Sequence, residues 1–177
     1  VNTAGSHFVV VDKQGRMTSS TNTLNNFFGS GAYTKQGFFM NNALKRFSDS
    51  PDSDNHGDKH KSPRSFISPT IVVGKDYYFG GGTPGGNKVP TLMQENLSNY
   101  LRGKDSLQET IDKPRFYNDG KDVYYEDGMS DQDLKTIKDL GYNPKNSADN
   151  PNFGSFQGAT YFKKDKKTET GHDVEVR

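Results

Sequence analysis

The sequence predicts an α+β fold in which helices are layered onto antiparallel sheets. Three observations carry that reading. The elements come in the order β-β-β, then helices, then β, rather than in the strand–helix alternation of a doubly wound parallel sheet. The early strands come in adjacent pairs joined by short turns, which suits antiparallel hairpins. Only 29% of the 177 residues are hydrophobic, where roughly 45–50% including glycine is usual for a self-sufficient core. Either polar loops dominate, or the chain shares its core with another polypeptide.

Taken in order, His7–Asp12 ("HFVVVD") and Met17–Leu24 ("MTSSTNTL") are β-prone runs joined by "KQGR", a hairpin. Gly37–Asn42 ("GFFMNN") is expected to be a third short strand. Residues 48–63, within "SDSPDSDNHGDKHKSPRS", are rich in turn formers and are expected to be an exposed loop. "SPTIVVG" and "DYYFGG" form a second hairpin about Gly74 and Lys75. Leu92, Met93, Leu97, Tyr100 and Leu101 recur at helical spacing, with Pro90 expected to delay the helix start. "SLQETIDKP" is a short helix stopped by Pro114. "SDQDLKTIKDLGY" carries an N-cap at Ser130 and a C-terminal glycine at Gly141. Phe153–Lys164 reads as a strand and "KKDKKTETG" as a charged turn.

Composition excludes several classes. Cysteine is absent, which removes disulfides and thiolate metal sites and fits a bacterial secreted protein. Lys plus Arg (23) nearly balances Asp plus Glu (22), so non-specific attraction to nucleic acid is not expected. No apolar run approaches the ~20 residues of a membrane span. Val1 is expected to be a processed, cloned or truncated end.

The densest motif is "YYFGGGTPGGNKVP", Tyr77–Pro90. Gly80, Gly82 and Gly85 match G-x-G-x-x-G, but Pro84 interrupts it and no βαβ unit surrounds it. Lys88 is not in the G-K-[ST] setting of a P-loop. What remains is a strand–turn–helix bend whose bare N–H groups at Gly85 and Gly86 can either stabilise an oxyanion or simply form a tight turn. "DSDNHGD" (52–58) fails as a calcium loop, having His56 at its fifth position and Pro63 at its twelfth. His56 and His60 are read as part of a solvated loop. No metal site and no cofactor are expected.

Together these pieces resemble the small, C-terminal subunit of the γ-glutamyltranspeptidases, in particular the capsule-depolymerase branch that acts on poly-γ-glutamate. The resemblance rests on Ser6–Gly31, Gly37–Asn42, Arg64–Val73, Gly81–Pro90 and "KPRF" at Lys113–Phe116. It implies an N-terminal nucleophile hydrolase fold, a four-layer αββα sandwich in which this chain is one domain completed by a large partner subunit from the same precursor. It further implies γ-glutamyl transfer or hydrolysis through a γ-glutamyl-enzyme ester, with an amine or water as acceptor and a secreted or cell-surface location. By the same resemblance, Thr23 orients the nucleophile, and Asn25 meets the substrate carboxylate or the nucleophile's amine. Ser65 binds the carboxylate, Gly85 and Gly86 form the oxyanion hole, and Asn42 is counted with the substrate-binding residues.

The sequence departs from the family pattern twice. The family's nucleophile is an N-terminal Thr, whose own α-amine, with a pKa near 8, serves as base; that column holds Gly5. Thr3 is the candidate nucleophile from the residues themselves. The alternatives are an altered end that lost the nucleophile, and a non-catalytic relative that binds γ-glutamyl groups. Second, Arg46 stands where glutathione-acting members carry an Asp for the substrate's ammonium. An Arg repels an ammonium but suits the repeated carboxylates of poly-γ-glutamate, and Arg64 extends that track. The competing reading is a conventional glutathione γ-glutamyltransferase.

Overall fold

A computed structural model describes residues 5–147, 153–174 and 176–177. β1 (Gly5–Val11) and β2 (Met17–Thr23) form an antiparallel hairpin, registered from Gly5 opposite Thr23 to Val11 opposite Met17. Its turn is tied by Asp12, whose carboxylate accepts from the Gln14 and Arg16 backbone at 2.9 Å. β3 (Thr70–Val73), β4 (Tyr77–Gly82), β8 (Gln157–Phe162) and β9 (Lys167–His172) form a second sheet in the order β3-β4-β8-β9, antiparallel throughout.

Alternation along these strands separates two faces. Phe79 on β4 and Thr160 on β8 face helices α1 (Val89–Arg102) and α2 (Leu107–Asp112). There Phe79, Val89, Met93, Leu107, Ile111 and Phe156 make the core. Each such side chain contributes about 1.5–3 kcal/mol when fully buried. The other face receives the hairpin. A Cβ on Gly80 would strike Met17 and Val9, and one on Gly82 would strike the His7 ring. The glycines of "FGGG" thus let two sheets approach closely. The chain builds three successive layers: helices, a sheet, and a hairpin whose outer face leaves Phe8 and Val10 exposed.

α2 begins in a capping box, Ser106 with Glu109, and the Glu169 carboxylate also accepts from the Leu107 N–H at 2.7 Å. Behind it, Arg115 is buried. It donates to the carbonyls of Phe153 (2.8 Å) and Ile111 (3.0 Å) and pairs with Asp173 at 2.8 Å, both side chains being 2% exposed. Asp173 also accepts the Phe156 N–H at 2.6 Å, so one ion pair joins the end of α2, the approach to β8 and the C-terminal segment.

Several expectations need correction. Gly37–Asn42 is not a strand: only one bridge, Tyr33 with Phe39, forms there, because the segment folds back on residues 30–34 and has no neighbouring strand. Pro90 does not delay α1. It lies in the first turn, where its missing N–H has no helical partner to lose. The strand expected from Phe153 starts at Gln157, and the "charged turn" from Lys167 onward is β9. Leu101 lies on the exposed side of α1. A third sheet was not foreseen: β5 (Phe116–Asn118), β6 (Asp122–Tyr125) and β7 (Asn143–Asn146), with β6 and β7 parallel across α3 (Asp131–Asp139). Residues 48–63 carry no helix or strand.

Candidate active site

The hairpin's inward face sets the site. Gly5 and Thr23 are direct cross-strand partners, so a side chain at position 5 would stand beside the Thr23 hydroxyl. A Cβ there would lie 3.1 Å from Pro84 Cβ, facing the glycine bend. One small cleft of about 30 Å³ is lined by Gly5, Thr23, Arg46, Ser65, Gly85 and Gly86, with Thr21 and Thr83 at its wall. The fold therefore brings together six positions spread over more than eighty residues of sequence.

The bend is shaped by backbone that only glycine adopts easily: φ is +149° at Gly85 and +63° at Gly86. A short 3-10 turn, Gly86–Lys88, then leads directly into α1. The Gly85 and Gly86 N–H groups precede any helical acceptor and take no partner among the described residues. Two unpaired donors at a helix entrance suit a developing negative charge. Thr83, which sequence reasoning passed over, braces the bend. Its hydroxyl donates to the Pro84 carbonyl at 2.7 Å and accepts the Ser155 N–H at 2.9 Å.

Thr23 Oγ1 accepts the Asn25 N–H at 2.9 Å, which leaves its proton free for the cleft. Asn25, at φ +71°, is engaged by the protein itself. Its Nδ2 donates to Asn42 Oδ1 at 2.9 Å and Asn26 Oδ1 at 3.1 Å, and its Oδ1 accepts from Arg46 Nε. As arranged here, Asn25 and Asn42 hold Arg46 at the cleft rather than line it. Ser65 is exposed at the cleft edge, and Arg64 lies outside it with its guanidinium 5.3 Å from the Phe66 ring centre. Thr3 lies outside the described residues.

Two titratable groups are displaced. His7 is buried beneath the cleft wall, its Nδ1 2.7 Å from Thr21 Oγ1, and burial lowers its pKa to about 4. Glu95 faces a larger cavity, about 630 Å³, between α1, β5–β6 and α3, and burial raises its carboxyl to about 8. That cavity shares no residue with the cleft.

The γ-glutamyltranspeptidase family model matches residues 2–175. The chain belongs to the γ-glutamyltranspeptidase family. It is 38% identical over 151 residues to the capsule biosynthesis protein CapD proenzyme of Bacillus anthracis, covering 85% of this chain and 28% of that protein. It is 29% identical over 139 residues to the glutathione hydrolase proenzyme of Bacillus subtilis (strain 168), covering 77% and 24%. The chain thus spans under a third of the length of these curated relatives. Against the crystal structure of Bacillus anthracis transpeptidase enzyme CapD it superposes with a TM-score of 0.76 at 34% identity, over 96% of this chain and 94% of that one. Within this family the fold is that of the N-terminal nucleophile hydrolases, as the resemblance implied, and the helix–sheet–hairpin order gives three layers of its sandwich.

Proposed function

We propose that the chain is the small subunit of a two-chain γ-glutamyl transferase or hydrolase whose donor is poly-γ-glutamate. The observation that carries this is the cleft in which position 5, Thr23, Arg46, Ser65, Gly85 and Gly86 converge. A threonine hydroxyl attacks the γ-carbonyl carbon and passes its proton to its own α-amine. The oxyanion is met by the Gly85 and Gly86 N–H groups, each worth roughly 3–4 kcal/mol in a dry site. The C–N bond then breaks, the amine leaves with that proton, and an ester remains. Water or an amine acceptor attacks the ester carbon and frees the threonine. Thr23 orients the nucleophile, Ser65 holds the donor's α-carboxylate, and Asn25 and Asn42 act through Arg46.

Arg46 supports the polymer reading. It makes no ion pair among the described residues and lines the cleft. An internal unit of poly-γ-glutamate offers a carboxylate and no free ammonium, which suits a guanidinium. The exposed outer face of the hairpin and the short span against the relatives support a large partner subunit carrying the fourth layer. A secreted or cell-surface location follows from the capsule reading. Gly5 favours a second reading, a relative that binds γ-glutamyl groups without a nucleophile unless Thr3 supplies one. Intact mass of the complete protein, before and after a γ-glutamyl donor, separates these. A gain of one glutamyl mass on a chain beginning at Thr3 is expected if Thr3 is the nucleophile. No cleavage and no gain would leave a binder. Faster turnover of glutathione than of polymer would overturn the polymer donor.

A further inference from the structure

Arg16, Arg115 and Arg177 each have a carboxylate partner; Arg46, Arg64 and Arg102, the last at the exposed end of α1, have none among the described residues. For Arg46 and Arg64 this is not for want of acids, since Asp49, Asp52, Asp54 and Asp58 lie in the loop between them. These two arginines are instead tied to one residue. Asn55 Nδ2 donates to the Arg46 carbonyl at 2.6 Å, and Asn55 Oδ1 accepts the Arg64 N–H at 2.9 Å. The Asn55 backbone is fixed in turn: its carbonyl accepts the Ser48 N–H at 2.9 Å, and its N–H donates to Ser53 Oγ at 3.2 Å. The Arg64 guanidinium rests on the Phe66 ring, which favours a fixed cation without neutralising it.

We infer that Arg64, held against Arg46 by Asn55, is a second carboxylate subsite beside the cleft, so that the protein reads two neighbouring carboxylates of one polyanionic chain. The inference rests on the polymer reading above and adds a residue to it. Asn55 touches neither carboxylate; it is a positioning residue that fixes the spacing of the two backbone segments that carry the cations. A ligand with one carboxylate needs only the cleft. A ligand with several gains a second charge-assisted contact, and the part of the alignment entropy that belongs to the two backbone segments has already been met by the fold.

The test is equilibrium binding by the complete protein of two probes, a γ-linked glutamate tetramer and N-acetylglutamate, each at two salt concentrations. Binding is measured with Thr3 replaced by Ala throughout, so that a competent nucleophile does not consume the tetramer. Asn55→Ala and Arg64→Ala are each expected to weaken the tetramer about tenfold and leave N-acetylglutamate unchanged, which also shows that the variants are folded. The double variant is expected to lose little more than either single one, because both remove the same contact. Asn55→Asp keeps the acceptor for Arg64 and loses the donor to Arg46, and is expected to fall between. Equal weakening of both probes by Asn55→Ala, or losses that multiply in the double variant, would overturn the subsite. If the Thr3→Ala parent binds the tetramer no tighter than N-acetylglutamate, the polymer reading itself fails, a result distinct from discrimination that survives Asn55→Ala.

Discussion

At the scale of one residue, position 5 opens onto the cleft. Gly5 is paired with Thr23 and faces Pro84 across 3.1 Å for a Cβ, so a small shift of Pro84 admits a side chain. With Thr3 replaced by Ala in both proteins, Gly5→Thr in the complete protein is expected to give cleavage before residue 5 and γ-glutamyl turnover absent from a Gly5→Ala control, read by intact mass and release of a chromogenic γ-glutamyl anilide. Thr23, Ser65, Gly85 and Gly86 could be named beforehand because the resemblance carries them, and Arg46 because it departs from that pattern. Thr83 and Asn55 could not. Thr83 acts on Ser155, 72 residues away, and Asn55 is one polar residue among many in a loop whose partners are backbone atoms of Arg46 and Arg64.

Among elements, the long periodic ones were legible: both hairpins, α1, α2 and α3 follow from alternation, helical spacing and caps. The sheet of β5, β6 and β7 was not, since its strands are three or four residues long and β7, "NPKN", has no apolar alternation. β9 was hidden because "KTETGH" is polar and pairs only along β8, with Gly171 packed against Leu107 and Ile111. The junction of α2, β8 and the C-terminus depends on the buried Arg115–Asp173 pair. Asp173→Ala strands a buried guanidinium and is expected to cost roughly 3–5 kcal/mol, measured by urea unfolding of the complete protein. Arg115→Met with Asp173→Leu is expected to lose less than the sum of the two single changes.

For the molecule as a whole, two buried groups set opposite pH slopes. His7 titrates near 4 when folded, below its ordinary 6.5. Its contribution is whole above about 6.5 and is lost as pH falls toward 4. Glu95 titrates near 8, above its ordinary 4.5; the folded state keeps a proton that the unfolded state releases, so stability is lost as pH rises from 4.5 to 8. Glu95→Gln, which resembles the protonated acid, is expected to melt above the unaltered protein at pH 8. The gap should close toward pH 4.5 in calorimetric scans. A gap independent of pH would mean that Glu95 does not hold its proton in the folded protein.

The sequence by itself determined the periodic strands and helices, the glycine bend and the family, because periodicity, caps and short motifs are local and survive without a structure. It also determined that position 5 is a glycine and position 46 an arginine, the two places where the resemblance predicts other residues. Only the tertiary structure decided which residues share the cleft, that Asn25 is spent on Arg46, and that Asn55 spans the two arginines. Those are relations between backbone atoms and side chains of different elements. They exist only once two sheets, held close by glycines, fix the distance between them.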